Sequence, residues 1–386
     1  MVYIERSITG KLRELSTQFP AVFLTGPRQS GKSTLLAHTF PGYAYYNLEN
    51  VDTREFAIDD PRGFLAACGG RVILDEVQRA PSLFSYLQTT IDRENEPGMY
   101  LLSGSQNFLM LKGISQSLAG RVGVLTLLPF TIGEMKAGGS SLNSAESWIV
   151  QGCYPRAVTE RIPPTSFYPS YLSTYVERDV RNEATVRDVA RFETFITACA
   201  ARVGSLINLS DLGRDIGADA RTVSSWLSIL EESYVAFRLS PYYRNVGNRH
   251  VKTAKLYFYD TGLLCSLLGI ETEGELSSSK RLGPLFENAV IAEKRKQVYN
   301  QGKTPRMFFW RNNGDKDREV DLVLERSLDH LELFEVKSSQ TANRSYLNAM
   351  EKFIKNSSAE CSAQVVYRGD DLQSASGPGF LNWRSI

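Results

Sequence analysis

The stretch GPRQSGKS at residues 26–33 limits, more than any other, what this chain can fold into. It matches the pattern G-x-x-x-x-G-K-S/T, and it joins the strand-like segment AVFL to STLLAHTF, which has the pattern of a helix. The glycines allow a turn in which successive backbone N–H groups point at phosphate oxygens, and the following helix adds its positive dipole end. The sequence therefore predicts a nucleotide phosphate site between a strand and a helix.

The positions of this loop have expected tasks. We expect the ammonium group of Lys32 to lie between the β and γ phosphates and the hydroxyl of Ser33 to bind Mg²⁺. The residues predicted to bind the nucleotide here are Gly26, Pro27, Arg28, Gln29, Ser30, Gly31, Lys32, Ser33 and Thr34. The alternative, a glycine turn that binds nothing, is disfavoured by the strand and the helix on either side.

An acid pair after a second apolar strand completes the predicted site. The segment RVILDEVQ contains Asp75 and Glu76 directly after its apolar residues. We expect Asp75 to hold Mg²⁺ through its water shell and Glu76 to polarise the attacking water. Acidic residues at strand ends are common, so this acid pair indicates a nucleotide site only in combination with the loop at Lys32. The predicted cofactors are ATP and Mg²⁺.

Three more apolar segments, YAYYNLEN, GMYLLSGS and GRVGVLTLLPF, add strands to the two already named. Five strands that alternate with helices predict a parallel α/β sheet with helices on both faces. We expect the acid-pair strand to lie directly beside the loop strand. Ser103, Ser105 and Gln106 lie where the fourth strand leaves the sheet. These polar side chains could sense the γ-phosphate or could belong to an ordinary capping turn, and both interpretations are open.

Several stretches together resemble the AAA-type ATPases of bacteria and archaea that carry a DUF4143 domain: LTGPRQSGKSTLL, VILDEVQRAP, YLLSGSQN, LAGRV and LLPFTIGE. The likeness keeps the order and spacing of these stretches and continues through nearly the whole chain. It implies a P-loop NTPase fold of the AAA (ASCE) type and a homo-oligomer in which a neighbouring subunit supplies an arginine. Arg121 of LAGRV is the candidate for that arginine, and an ion pair with a local carboxylate is its alternative role.

Composition adds limits of its own. The chain of 386 residues has 44 Lys+Arg against 43 Asp+Glu, so its bulk charge gives no argument for nucleic acid or an anionic membrane. Its five cysteines form no CxxC pair, which favours buried thiols in a reducing cytoplasm over disulfides or a zinc site. No run of apolar residues is long enough to span a bilayer. We therefore expect a soluble cytoplasmic protein without a membrane partner.

Segments rich in glycine, serine and proline mark the predicted domain boundaries of the chain. We expect an ATPase domain over residues 1–135, a linker over 136–165, a helical and winged-helix module over 166–250 and a restriction-endonuclease-like domain over 251–386. The segments NLSDLGRDIG, ADARTVSSWLSILEES and YVAFRLSPYY predict the winged helix-turn-helix.

The predicted winged helix gives mixed signals for DNA. Its second helix carries Asp219, Glu231 and Glu232, which is a poor electrostatic match to a phosphate backbone. The stretch after it has no acidic residue and contains Arg238, Arg244, Arg249, Lys252 and Lys255, interleaved with Tyr242 and Tyr243. Phosphate contacts by this stretch and packing against another protein segment are both open interpretations.

The last part of the chain predicts the element order αβββαβ, which is the core order of restriction-endonuclease-like domains. Glu287 falls on the first helix, Asp321 on the second strand, and Glu335 and Lys337 lie two apart on the third strand, so they share a face. The three carboxylates would hold Mg²⁺, and Lys337 would orient or deprotonate the attacking water. The alternative is a nuclease-like scaffold whose acids are paired with Lys and Arg.

These modules lead to three candidate functions. We favour an ATP hydrolase whose nucleotide state controls the winged-helix and nuclease-like modules on DNA. The second candidate is an ATP-dependent switch that binds a protein partner and cuts nothing. The third is a metal-dependent DNA nuclease that ATP licenses.

Overall fold

A computed structural model describes residues 3–105, 118–176, 180, 186, 188–243, 254–311, 319–372 and 378–386. Gln106 lies outside the described residues, as do Arg244, Arg249 and Lys252 of the basic stretch. The helices and strands given below belong to the described residues.

A parallel sheet forms the first part of the chain. Its strands are β1 (Ala21–Thr25), β2 (Ala44–Asn47), β3 (Val72–Asp75), β4 (Tyr100–Gly104) and β5 (Val122–Thr126). Their spatial order is β2-β3-β4-β1-β5, and every neighbouring pair is parallel. β1, β3 and β4 are buried at every position because helices cover both faces. The predicted parallel α/β sheet of a P-loop NTPase is confirmed.

One predicted neighbour in this sheet is wrong, because β3 does not lie beside β1. β4 is inserted between them, and its Leu101 pairs with Val22 of β1 on one side and Ile73 of β3 on the other. The order of strands along the chain does not fix which strands become neighbours, since each parallel crossover can pass over a strand position that is filled later. The end of β4 therefore separates the loop from the acid pair.

Helices cover this sheet and continue into the middle of the chain. Those around the first sheet are α1 (Thr9–Ser16), α2 (Lys32–Thr39), α3 (Val51–Asp59), α4 (Pro61–Cys68) and α5 (Leu83–Glu94). The next are α6 (Ile132–Ala137), α7 (Ala145–Gln151), α8 (Pro155–Thr159), α9 (Pro164–Tyr175) and α10 (Val189–Ala200). α6 begins with a capping box in which the Thr131 hydroxyl accepts from the Glu134 N–H and the Glu134 carboxylate accepts from the Thr131 N–H.

The predicted helix-turn-helix is present as α11 (Leu209–Ile216) and α12 (Ala220–Glu232). Gly217 ends α11 with a left-handed φ of 66°, and the Asp219 side chain caps α12. The strands that follow, β6 (Ala236–Pro241) and β7 (Lys255–Phe258), form an antiparallel pair.

A second, mixed sheet occupies the last part of the chain. Its further strands are β8 (Met307–Arg311), β9 (Glu319–Ser327), β10 (His330–Lys337), β11 (Glu360–Tyr367) and β12 (Gly379–Asn382). The helices of this part are α13 (Thr261–Leu267), α14 (Glu273–Ser278), α15 (Leu282–Asn300) and α16 (Asn348–Asn356). From α15 to β11 the elements follow the predicted order αβββαβ. β12 was not predicted, because GFLN is too short to give a period.

The second sheet crosses the domain boundary that the sequence predicts at residue 250. Its order is β12-β11-β10-β9-β8-β6-β7, and β6 pairs with β8 through Ser240 with Phe308 and Pro241 with Phe309. The two strands after the helix-turn-helix thus form one edge of the C-terminal sheet, so the winged-helix module and the C-terminal domain share a sheet.

The largest apolar core likewise joins parts that the sequence predicts to be separate. This core is a contiguous cluster of buried side chains that includes Ile4, Phe130, Phe195 and Trp383. Trp383 stacks on Trp148 with ring centroids 5.2 Å apart, which fastens the end of the chain to α7. Within the described residues, no helix has the length and apolar character needed to cross a membrane.

The five cysteines are all free thiols. Cys68, Cys153, Cys199 and Cys265 are buried, and Cys361 is partly exposed. The prediction of buried thiols is therefore confirmed for four of the five.

Replacing Trp383 with alanine tests this packing. Trp383→Ala removes a fully buried ring and its stack on Trp148, so we expect the free energy of unfolding to fall by about 3–5 kcal/mol. Leu328→Ala is the control, because Leu328 is 77% exposed and its loss should change stability by less than about 0.5 kcal/mol. Chemical denaturation measures both, and equal values for the two variants would contradict the assigned role of the Trp148–Trp383 stack.

Candidate functional site

The loop between β1 and α2 has the backbone shape that phosphate binding requires. Gly26 has a φ of 143°, and Gly31 has a φ of 91° and directly precedes α2. A Cβ at Gly26 would collide with the Leu127 carbonyl oxygen, so only glycine fits there. Gln29 also has a positive φ, 59°. These residues turn the loop so that it leads into the helix N-terminus.

Lys32 is buried in this loop and donates to the loop's own carbonyl groups. Its Nζ lies 2.9 Å from the Gly26 oxygen and 2.8 Å from the Pro27 oxygen. The hydroxyl of Ser30 is also buried, and within the described residues it has no hydrogen-bond partner. A buried hydroxyl without a partner is costly unless a ligand satisfies it, so the loop fits a bound phosphate.

Asp75 ends β3 as a buried carboxylate that two hydroxyl groups hold. Tyr45 Oη donates to Asp75 Oδ2 at 2.6 Å, and Ser103 Oγ donates to Asp75 Oδ1. Burial raises the pKa of the Tyr45 phenol, and its hydrogen bond to Asp75 raises it further, so Tyr45 is a hydrogen-bond donor at neutral pH. Ser103 of β4 thus contacts the acid pair, and its predicted role in sensing the γ-phosphate stays a prediction.

Glu76 follows in a left-handed conformation that is uncommon for a residue with a side chain, with a φ of 57°. Gln78 Nε2 donates to Glu76 Oε2 and lies 3.4 Å from Ser105 Oγ. Ser105 thus reaches the acid pair through Gln78. Burial raises the pKa of the Glu76 carboxyl; the nearby charges of Lys32 and Arg28 oppose this shift, and Asp75 adds to it.

A cavity of about 580 Å³ lies directly over the loop and contacts Glu76. Its first wall belongs to the predicted site: Arg28, Gln29, Gly31, Lys32, Ser33, Thr34 and Glu76. A second wall comes from the N-terminal segment, from α8 and from α9, and includes Tyr3, Ile4, Arg156, Thr159, Tyr171 and Tyr175. The volume falls in the range of about 300–1,000 Å³ that is usual for small-molecule sites. Sequence reasoning missed this second wall because no motif marks it.

Arg6 joins the phosphate loop to the segment after β5. Its guanidinium is buried, with Nη1 2.8 Å from the Ser30 oxygen and Nη2 2.6 Å from the Leu128 oxygen. Its Nε forms an ion pair of 3.2 Å with Glu134, the acid of the α6 capping box. One side chain therefore fixes the back of the loop to the start of α6.

Arg121 lies at the opposite end of the sheet from the phosphate loop. It precedes β5, and its carbonyl accepts from the N–H of Ala21 at the start of β1. Its guanidinium forms a bidentate pair with Asp92, at 2.5 Å from Nε to Oδ1 and 3.0 Å from Nη2 to Oδ2. Arg121 is therefore placed as in its alternative role, and a role in a neighbouring subunit stays a prediction.

The structure brings the predicted C-terminal acids and Lys337 together, but it pairs them with lysines. Lys337 Nζ lies 2.5 Å from Glu335 Oε1 and 3.9 Å from Asp321 Oδ2. Lys255 of β7 is buried and lies 3.2 Å from Glu287 Oε1. Burial raises the pKa of the carboxyl groups of Glu287 and Glu335, and the charge of Asp321 adds to both shifts.

Among the described residues, no three His, Cys, Asp or Glu side chains are grouped so that they could hold a metal ion. The predicted Mg²⁺ site at Glu287, Asp321 and Glu335 stays a prediction, and the ammonium groups of Lys255 and Lys337 lie beside its carboxylates.

The predicted basic surface also differs from expectation where it is described. Lys255 is buried in the acid cluster, where it also pairs with Glu319. Arg238 is paired with Glu231 at 2.6 Å. Both cations are thus bound within the chain, which weakens the interpretation that this stretch holds phosphates of DNA.

Models of protein families match three consecutive parts of the chain. A model described as "AAA domain" matches residues 18–136. Models described as "Domain of unknown function (DUF8612)" and "Domain of unknown function (DUF4143)" match residues 142–274 and 282–384.

Two curated proteins are similar over most of the chain. They are "Uncharacterized protein Rv2008c" of Mycobacterium tuberculosis and "Uncharacterized protein Mb2031c" of Mycobacterium bovis. Each is 31% identical over 332 residues, which are 85% of this chain and 72% of the relative.

The solved structures that are similar to this chain share less sequence identity with it. One is "the walker-type atpase paby2304 of pyrococcus abyssi", with 14% identity and a TM-score of 0.47 over 69% of this chain and 96% of that chain. Another is a Signal Transduction ATPase with Numerous Domains (STAND) protein from Pyrococcus horikoshii, with 12% identity and a TM-score of 0.29 over 76% of this chain and 44% of that chain.

Replacing Gly26 tests the loop geometry. Gly26→Ala places a Cβ against the Leu127 carbonyl and demands a positive φ, so we expect at least a tenfold loss of ADP affinity and about 1–3 kcal/mol lower stability. Gly42→Ala is the control, because an added Cβ there meets nothing within 4 Å. Calorimetry with ADP and thermal unfolding measure the two effects, and wild-type affinity in Gly26→Ala would contradict this geometry.

Proposed function

Because this chain belongs to the family of AAA-type P-loop ATPases with a C-terminal DUF4143 region, we propose that its cavity binds ATP and hydrolyses it to ADP and phosphate. The observation that carries this proposal is the position of the Glu76 carboxylate, which faces the same cavity as the phosphate loop and Lys32. A basic loop and a carboxylate with a raised pKa thus line one cavity, in which the γ-phosphate and water would react.

The loop residues bind and orient the triphosphate in this proposal. The backbone N–H groups ahead of α2 donate to phosphate oxygens, and Lys32 exchanges its bonds to Gly26 and Pro27 for bonds to phosphate. The charges of Arg28 and Arg156 on the cavity walls attract the same anion. Ser33 and Asp75 would hold Mg²⁺, which when bound neutralises charge on the β and γ phosphates.

Glu76 acts as the general base in this proposal. Its carboxylate accepts the proton of the attacking water, while the Gln78 amide, itself close to Ser105, keeps the carboxylate in place. A raised pKa strengthens the carboxylate as a base, provided that the pH keeps it ionised. Arg121 of a neighbouring subunit would add positive charge only after leaving Asp92, in line with the proposed homo-oligomer.

Glu76→Gln tests the base. The variant keeps the shape of the side chain but cannot accept the proton, so we expect ATP binding to persist and turnover to fall by about 10²–10⁴-fold. Wild-type turnover should also decline on the acid side at a pH above the ordinary carboxyl pKa, because the pKa of Glu76 is raised and its ionised form is the active one.

Glu49→Gln is the matched control, since Glu49 lines the same cavity and pairs with Arg79. Phosphate release over a pH series measures all three proteins. Unchanged turnover in Glu76→Gln would assign the base to another residue, and Lys32→Ala should lose ATP binding in every case.

We propose that the C-terminal domain is a binding scaffold that the ATPase part controls, rather than a nuclease. The pairing of its acids with Lys255 and Lys337 supports this second role over metal-dependent cleavage. A scaffold needs no free carboxylates, whereas a metal site needs all of them. Its partner, DNA or protein, contacts other surfaces of the domain in this proposal.

A cleavage assay separates the two roles. We expect wild type, Asp321→Ala and Lys337→Ala to leave single-stranded and double-stranded DNA equally intact with Mg²⁺ or Mn²⁺. Gel analysis of end-labelled DNA measures this outcome. Cleavage by wild type that both substitutions abolish would instead establish the nuclease.

A further inference from the structure

Tyr45 connects the two side chains that the proposed ATPase assigns to Mg²⁺. Its hydroxyl donates to Asp75 Oδ2 at 2.6 Å, and the Ser33 hydroxyl is near enough to lower the pKa of the same phenol, against the larger effect of burial. Tyr45 comes from β2, an edge strand of the first sheet, so it enters the site from a separate part of the chain. The phenol oxygen therefore lies between the phosphate loop and the acid pair.

The pairing of β2 with β3 fixes this placement. Asn47 is in register with Asp75, and the Leu48 N–H donates to the Asp75 carbonyl at 3.0 Å. Ser103 occupies the other carboxylate oxygen of Asp75. Both oxygens of this buried carboxylate are thus held by neutral hydroxyl groups, one from each neighbouring strand, and the one from Tyr45 also reaches the loop.

Asp75 would hold Mg²⁺ through its water shell, so waters on the cation would need the Asp75 oxygens, each of which already accepts a hydrogen bond from a hydroxyl group. We propose that Tyr45 is a positioning residue that holds the Asp75 carboxylate near Ser33 and gives up this hydrogen bond when the hydrated cation enters. This inference rests on the proposed ATP site.

The surroundings of Tyr45 allow that movement. Its side chain is 44% exposed on an edge strand, so turning the ring outward removes little apolar surface from the core. Its neighbour Tyr46 points elsewhere and packs edge-on against Phe64, with ring centroids 5.5 Å apart. Tyr46 therefore offers a matched control on the same strand.

The test compares Tyr45→Phe and Tyr46→Phe with wild type. Mn²⁺ binding is measured by electron paramagnetic resonance at saturating ADP, and ADP affinity is measured separately in EDTA. We expect Tyr45→Phe to bind Mn²⁺ about two- to tenfold more tightly, because one net hydrogen bond no longer competes. Tyr46→Phe should match wild type, and all three proteins should bind metal-free ADP equally.

Unchanged or weaker Mn²⁺ binding in Tyr45→Phe would overturn the inference, because the phenol would then not compete with the cation. A change of the same size in metal-free ADP affinity would also overturn it, since the effect would be on nucleotide binding in general. If wild type bound no ADP with or without Mn²⁺, the proposed function itself would fail, and this inference with it.

Discussion

The buried guanidinium of Arg6 holds together the parts on which the site depends. A charge inside a protein is costly unless it is paired, and Arg6 has an ion pair with Glu134 and donates hydrogen bonds to the Ser30 and Leu128 carbonyl groups. The shape of the phosphate loop therefore depends on segments that are distant in the chain, the N-terminal segment and residues 128–134 after β5. Beyond Arg6, the Ile132 N–H donates to buried Glu293 of α15 at 3.1 Å, so the contacts continue into the C-terminal half.

Local sequence patterns predicted those parts of the site that are local in the chain. The phosphate loop and the acid pair each depend on consecutive residues, and their chemistry restricts the residue types, so Lys32, Asp75 and Glu76 could be found by motif. Tyr45, Arg6 and Arg156 could not be found this way, because strand order and helix docking bring them to the site from distant segments. The error about β3 and β1 has the same origin, since alternation of strands and helices leaves the neighbour of each strand undetermined.

The C-terminal acid cluster shows how far the spacing of residues along the sequence can predict a site. The pattern of Asp321, Glu335 and Lys337 predicted which side chains meet, and they do meet. It did not predict Lys255, which the sequence assigned to a basic stretch and which β7 brings into the acid cluster. This buried ammonium group lies beside Glu287, so the cluster contains a cation that the spacing of its acids did not indicate. The positions of charged residues along a chain thus identify a charged surface only when the strand order of the fold is known.

The pairing of β6 with β8 has a practical consequence for work on the separate parts of this protein. A fragment that ends at residue 250 keeps the helix-turn-helix but leaves β6 without β7 and β8, so the backbone N–H and C=O groups of one strand would face water on both sides. Such an unpaired strand promotes self-association. Fragments should therefore not be cut at residue 250, and β6, β7 and β8 should be kept in one piece.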